Sequence, residues 1–189
     1  MPRRSSTSPR VVTRFARDQR GSAAVEFGFV ALPFFMMLFA VLELALVFTL
    51  NAVLSSAAMD TGRLIRTGQA AAAGFGKEKF KTELCSRMSI FSGDCVTRAI
   101  VDVRPITTFN APVVTDPTTD GELDDGKTAY DGVGPSSLML VRVWYRQPVF
   151  TPFLGQVVEA WKTGHTLTAT TAFQNEPFNA ATVAPASAP

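Results

Sequence analysis

The feature that most constrains this chain is the apolar run from Phe27 to Leu50, which carries a single charge, Glu43. At about 1.5 Å of rise per residue such a run makes roughly 36 Å of helix, enough to cross a hydrocarbon core of about 30 Å. A stretch this long and this apolar is not the core helix of a soluble domain. It predicts a membrane anchor near the start of the chain, from which everything else hangs. Pro33 lies inside the run, where its missing N–H and its ring predict a kink of the kind that membrane helices tolerate. Glu43 falls about two-thirds of the way across, where a carboxylate has to be neutralised by a proton or by a partner. It reads either as a contact with a neighbouring helix or as an interface residue in a shifted bilayer frame.

The charges on either side of the anchor differ. Residues 1–20 hold six arginines (Arg3, Arg4, Arg10, Arg14, Arg17 and Arg20) against Asp18, a balance of +5, whereas the rest of the chain holds 12 basic and 15 acidic side chains, a balance of −3. Basic residues concentrate on the cytoplasmic flank of a membrane span. The arginine-rich leader is therefore cytoplasmic and the bulk of the chain lies on the other side. In that oxidising setting Cys85 and Cys95 are expected to pair rather than remain two free thiols. The short loop so closed is worth roughly 2–3 kcal/mol on the loop-entropy account. Zinc is disfavoured, because the sole histidine, His165, lies far along the chain from Cys95.

The junction between leader and anchor reads Arg-Gly-Ser-Ala-Ala-Val-Glu-Phe, residues 20–27. A secretory signal peptide has a short apolar core followed by small residues at its cleavage site. Here the small residues Gly21, Ser22, Ala23 and Ala24 come first and the apolar core is far longer. Glu26 stands at the threshold of the span, where a carboxylate also favours the positive end of a helix dipole by about 0.3–1 kcal/mol. The pattern Gly-Ser-Ala-Ala-Val-Glu-Phe resembles the processing site of type IV pilin-like proteins. More closely, residues 18–70 resemble the TadE-like family, the pseudopilins of tight-adherence (Tad) pilus systems. The resemblance implies that a prepilin peptidase cuts between Gly21 and Ser22, leaving Glu26, followed by Phe27, as the fifth residue of the mature chain and the glutamate used in subunit assembly. It also implies the major pilin, other minor pilin-like subunits and an inner-membrane assembly platform as further partners. The strand-like VRVWYRQPVF (141–150) and FQNEPF (173–178) also look like the C-terminal half of that family.

Beyond the anchor the helical pattern continues. Leu54, Ala57, Ala58, Thr61, Leu64 and Ile65 recur at helical spacing, which predicts one helix from Ser22 to near Ala72, ended by Gly74 and Gly76. Phe80, Leu84, Met88 and Phe91 space a short amphipathic helix over 77–91. Alternation predicts strands over 97–106, 137–150 and 165–173. In the second of these, Met139, Val141, Val143 and Tyr145 oppose Arg142 and Arg146. A short helical turn is expected over 151–163. The fold class is α+β, a long N-terminal helix on a small antiparallel sheet of three or four strands in the manner of a pilin-like lollipop. Its divisions are a basic leader over 1–21, a transmembrane helix over 22–50, an extracytoplasmic helix and α+β domain over 51–178, and a disordered tail over 179–189.

Residues 107–136 form a loop with six acids (Asp116, Asp120, Glu122, Asp124, Asp125 and Asp131) against Lys127. Their spacing does not match an EF-hand, so a solvated loop or a partner contact is preferred to calcium. No nucleophile elbow, phosphate-binding glycine loop or dinucleotide fingerprint is present. The chain is expected to be no enzyme, to use no cofactor and, with a net acidic exported part, to bind no nucleic acid. What the resemblance implies is a minor pilin-like subunit of a Tad-type adhesion pilus, in a bacterial inner membrane with its domain periplasmic. The rivals are an unprocessed single-pass envelope protein with a partner-binding domain, and a domain released by signal peptidase near Ser55–Ala57.

Overall fold

Helix α1 runs from Ser22 to Arg66, 45 residues with Pro33 inside. The computed structural model describes residues 21–110, 116–120, 122–131, 134–148 and 165–179. The arginine leader, the turn expected over 151–163 and the tail beyond Asn179 lie outside the described residues. The chain divides into two units within α1, between Leu42 and Glu43. In the first, the large apolar side chains of α1 are exposed, from Met36 at 39% to Phe29 at 78%.

In the second unit α1 acquires a buried face at Leu50, Leu54, Ala57, Ala58, Thr61, Gly62 and Ile65. These recur every three or four residues, so they form one stripe along the helix. The stripe is the one the spacing anticipates, extended by Leu50 and Gly62. Gly62 marks the closest approach to the sheet, since a Cβ there would lie 3.1 Å from Phe173 Cε1.

The helix ends earlier than its composition suggests. Gly68 takes φ +76°, and after it α2 is a single turn, Gln69–Ala72. The last carbonyls of α1 are satisfied partly locally, by the Thr67 N–H on Arg63 O and the Gly68 N–H on Ile65 O, and partly from a distance, by the Glu176 N–H, which donates to Arg66 O at 2.9 Å. The Phe178 ring lies over Gly68, its Cγ 2.6 Å from where a Cβ would stand. Glycine in this left-handed conformation is itself a local stop signal, and the Phe178 ring packed on it leaves no room for a Cβ there. The expected stop does operate on α2, where Gly74 (φ +60°) lets the Phe75 N–H reach back to Ala70 O.

The segment expected as one helix over 77–91 is α3, Lys77–Ser86, followed by a 3-10 turn at Ser89–Phe91. A further helix, α4, spans Ser92–Arg98 and delays strand β1 to Ala99–Ile106. Phe80, Leu84 and Met88 are fully buried and Phe91 half-buried. Cys85 and Cys95 are joined in a disulfide that fastens α3 to α4.

Strands β1, β4 (Leu138–Gln147) and β5 (His165–Gln174) form an antiparallel sheet in the order β1-β4-β5. The register pairs Val101 with Val143 and Val143 with Ala169. One face carries Val101, Val103, Met139, Val141, Val143, Tyr145 and Ala169 into the same core as Leu50, Leu54, Ala57 and Ile65. A separate ribbon pairs β2 (Thr118–Thr119) with β3 (Glu122–Leu123). Along the outer edge of β1 runs a short parallel bridge, in which the Val103 N–H donates to Ala129 O and the Asp131 N–H donates to Val103 O.

Candidate functional site

Two places carry chemistry that packing alone does not require. The first is the start of α1. Gly21 immediately precedes the helix, and Ser22 opens it. One turn later Glu26 is exposed, and its Oε1 accepts a hydrogen bond from Ser22 Oγ at 3.1 Å. Phe27 beside it is 70% exposed. Gly21 and Ser22, on either side of the peptide in question, are exposed as well. Further along, Phe34 and Phe35 meet edge to face at 5.5 Å, and Phe35 stacks on Phe39 at 6.4 Å. An aromatic, uncovered helix surface of this kind needs lipid or other helices around it. α1 is long and apolar enough to cross a membrane. Glu43 lies in the second unit and is half-buried.

The second place is not evident from the sequence. Alternation assigns Arg142 to the solvent face of β4, yet Arg142 and its cross-strand partner Asp102 are both buried. Asp102 Oδ2 accepts from Arg142 Nη2 at 3.0 Å, while Oδ1 accepts from Arg104 Nε at 2.7 Å and from the Ala129 N–H at 2.8 Å. Arg142 Nη1 reaches Asp116 Oδ1 at 3.2 Å, and its guanidinium lies 4.7 Å from the centre of the Trp144 ring. Arg104 Nη2 also donates to Lys127 O at 2.6 Å. The ions thus bind the described part of the acidic loop onto the second face of the sheet. The signal lay in the sequence as two opposite charges, Asp102 and Arg142, each set between two valines in the middle of a strand.

That loop is also organised internally. Asp124 Oδ1 accepts from the Gly126 N–H and its Oδ2 from Thr119 Oγ1 at 2.7 Å. The Thr119 bond first, then the Gly126 N–H, hold the Asp124 carboxyl below the usual range. Lys77 Nζ lies 2.9 Å from Asp125 Oδ1 and fixes the loop to α3. Tyr130 packs its ring 5.8 Å from that of Phe80, and burial pushes its phenol up to about 12. Among the described residues no three of His, Cys, Asp and Glu gather to hold a metal ion.

The exposed helix start and the buried stripe that follows it, as far as Gly62, lie within one segment that matches a family model, described as TadE-like protein, over residues 21–63. This segment is TadE-like. The match bears out the resemblance read from the junction and the anchor. It ends within α1, so the likeness seen in VRVWYRQPVF and FQNEPF stands on the sequence alone. No curated protein and no solved structure matches the chain.

Proposed function

We propose that this chain is a minor pilin-like subunit of a Tad-type adhesion pilus, held in a bacterial inner membrane by α1 with its leader cytoplasmic and its sheet domain periplasmic. The observation that carries the reading is the TadE-like match over residues 21–63, whose first residue is the one a prepilin peptidase would cut after. Hydrolysis of the Gly21–Ser22 peptide would leave a free ammonium on Ser22 at the positive end of the α1 dipole, where it is poorly placed. In a low-dielectric membrane an unpaired charge is costly, and so is an unpaired Glu26 carboxylate. Pairing the ammonium of one subunit with Glu26 of the next relieves both. In the single chain the Glu26 carboxylate accepts from the Ser22 hydroxyl, an exposed bond that a charged partner displaces easily. Glu43 would serve as a further contact between helices. The subunit would meet the major pilin, other minor subunits and the assembly platform through this helix, priming or regulating the filament rather than forming its bulk.

Release of a soluble domain near Ser55–Ala57 is disfavoured, because Leu54, Ala57 and Ala58 pack into the core there. The deciding measurement is the N-terminal sequence and intact mass of the membrane-extracted protein. A chain beginning at Ser22 supports the pilin-like reading. A chain that keeps its arginine leader refutes processing and leaves an unprocessed tether. Glu26→Ala then separates the two by a second route, since it should abolish pilus assembly for a subunit and leave a tether indifferent.

A further inference from the structure

We propose that the turn Ser89–Phe91 is a membrane-contact element, and that the groove it forms with Leu46 takes a phospholipid at the hydrocarbon–headgroup boundary of the leaflet facing the sheet domain. The inference rests on α1 being the membrane span. Within the second unit, Leu46, Ile90, Phe91 and Tyr145 line the apolar side of a cavity of about 350 Å³, and Asp94 and Arg98 line its polar side. Depth follows from α1 itself. Counting about 20 residues, or about 30 Å of helix, from Phe27 brings the end of the hydrocarbon core to Leu46. Leu50, one turn on along the same face, is fully buried in protein, so on that face lipid gives way to protein between these two residues, while Phe48 on another face stays 71% exposed. Ile90, which lines the same cavity as Leu46, lies within a cavity's width of that boundary.

The turn is built to project an apolar residue there. Ser89 holds φ +52°, a left-handed conformation that is costly for a residue with a Cβ. Before it Met88 is fully buried, while after it Ile90 is 84% exposed. The disulfide between Cys85 and Cys95 closes the loop that contains the turn, so the exposed isoleucine cannot simply fold back. In water that arrangement combines backbone strain with a wetted apolar side chain. Against a bilayer the second cost disappears. The polar side of the groove fits the same occupant: Arg98, paired with Asp94 at 3.0 Å, keeps further N–H donors for a phosphodiester. An acyl chain along Leu46 and Ile90 with its phosphate towards Arg98 uses both sides at once.

The test is Ile90→Trp in the full chain, reconstituted into vesicles of phosphatidylethanolamine and phosphatidylglycerol, with Met37→Trp as a marker of the span. Native emission comes from Trp144 and Trp161, which the wild-type protein supplies as background. The Ile90→Trp signal is expected to shift to the blue and to be lost when the lipids are brominated near their carbonyl ends, whereas Met37→Trp is lost with bromine at mid-chain. Ile90→Trp emission that stays water-like while Met37→Trp is quenched overturns the inference, keeps the anchor and leaves the groove to a protein partner. If neither is quenched, the anchor reading falls and this inference with it.

Discussion

Gly68→Ala tests how α1 is terminated. At φ +76° an alanine incurs the left-handed penalty of about 1–2 kcal/mol. Its Cβ would also stand 2.6 Å from Phe178 Cγ and 2.7 Å from Cδ1, well inside contact, so the ring or the helix end must move. Overpacking of this type adds about 1–3 kcal/mol. Together the loss is about 3 kcal/mol, against which the neighbouring Arg66–Glu176 ion pair is small. That pair spans 3.6 Å with both side chains more than half exposed, and an exposed pair contributes about 0–1 kcal/mol. Thermal unfolding of the detergent-solubilised protein, followed through its tryptophan fluorescence, should show Tm lowered by about 6–12 °C, at about 2–4 °C per kcal/mol for a domain of this size. Glu176→Gln should move it by no more than about 4 °C on the same scale. Adding Phe178→Ala to Gly68→Ala should relieve the clash but not the dihedral penalty, so the two changes couple. A Gly68→Ala protein that melts with the wild type would refute the lock between Phe178 and the helix end.

Three further outcomes follow from the same geometry. Asp102→Asn takes the buried carboxylate from Arg142 and leaves the exposed Asp116 carboxylate at 3.2 Å, and should cost up to about 3–5 kcal/mol in denaturant unfolding; a loss below about 1 kcal/mol would mean that Asp116 or water takes over the guanidinium. Cys85→Ser should cost about 2–3 kcal/mol from loop closure alone, and the native chain should gain two thiols by mass labelling only after reduction. Because the Asp124 carboxyl is depressed in the folded protein, the support it gives is present above the usual carboxylate range, near about pH 4, and is lost as pH falls through its lower folded value. Hydrogen exchange at the Gly126 amide, whose N–H donates to Asp124 Oδ1, should therefore lose protection on acidification before the sheet amides do; simultaneous loss would tie the loop to global unfolding.

Much of this fold can be read where a single period dominates. The stripe Leu54, Ala57, Ala58, Thr61 and Ile65 and the inward face of β4 obey one repeat each, and the structure buries them accordingly. What could not be read depends on residues distant in sequence. Phe178 packs on Gly68 and reserves that position, ahead of Gly74, for the end of α1, and α4 takes the place of the first residues of a strand where Cys95 is tied to Cys85. Arg142 looks like a solvent-facing residue until its cross-strand partner Asp102 and the loop acid Asp116 are brought to it. The candidate site divides in the same way: Gly21, Ser22 and Glu26 are legible because they stand within six residues of one another, whereas the groove at Leu46 and Ile90 exists only once chain segments far apart in sequence meet.

The strip of chain beside Val103 has a consequence for how copies of this protein can associate. A free strand edge is an invitation to add another strand, and β1 declines it twice. Val103 has already committed both its N–H and its C=O to Ala129 and Asp131, and two residues on Pro105 has no N–H to offer. On that side, growth by continuing the sheet from one molecule into the next is closed. Contacts between copies have to form elsewhere, and among the described residues the opening stretch of α1, Ser22 to Leu42, offers an exposed apolar surface for them.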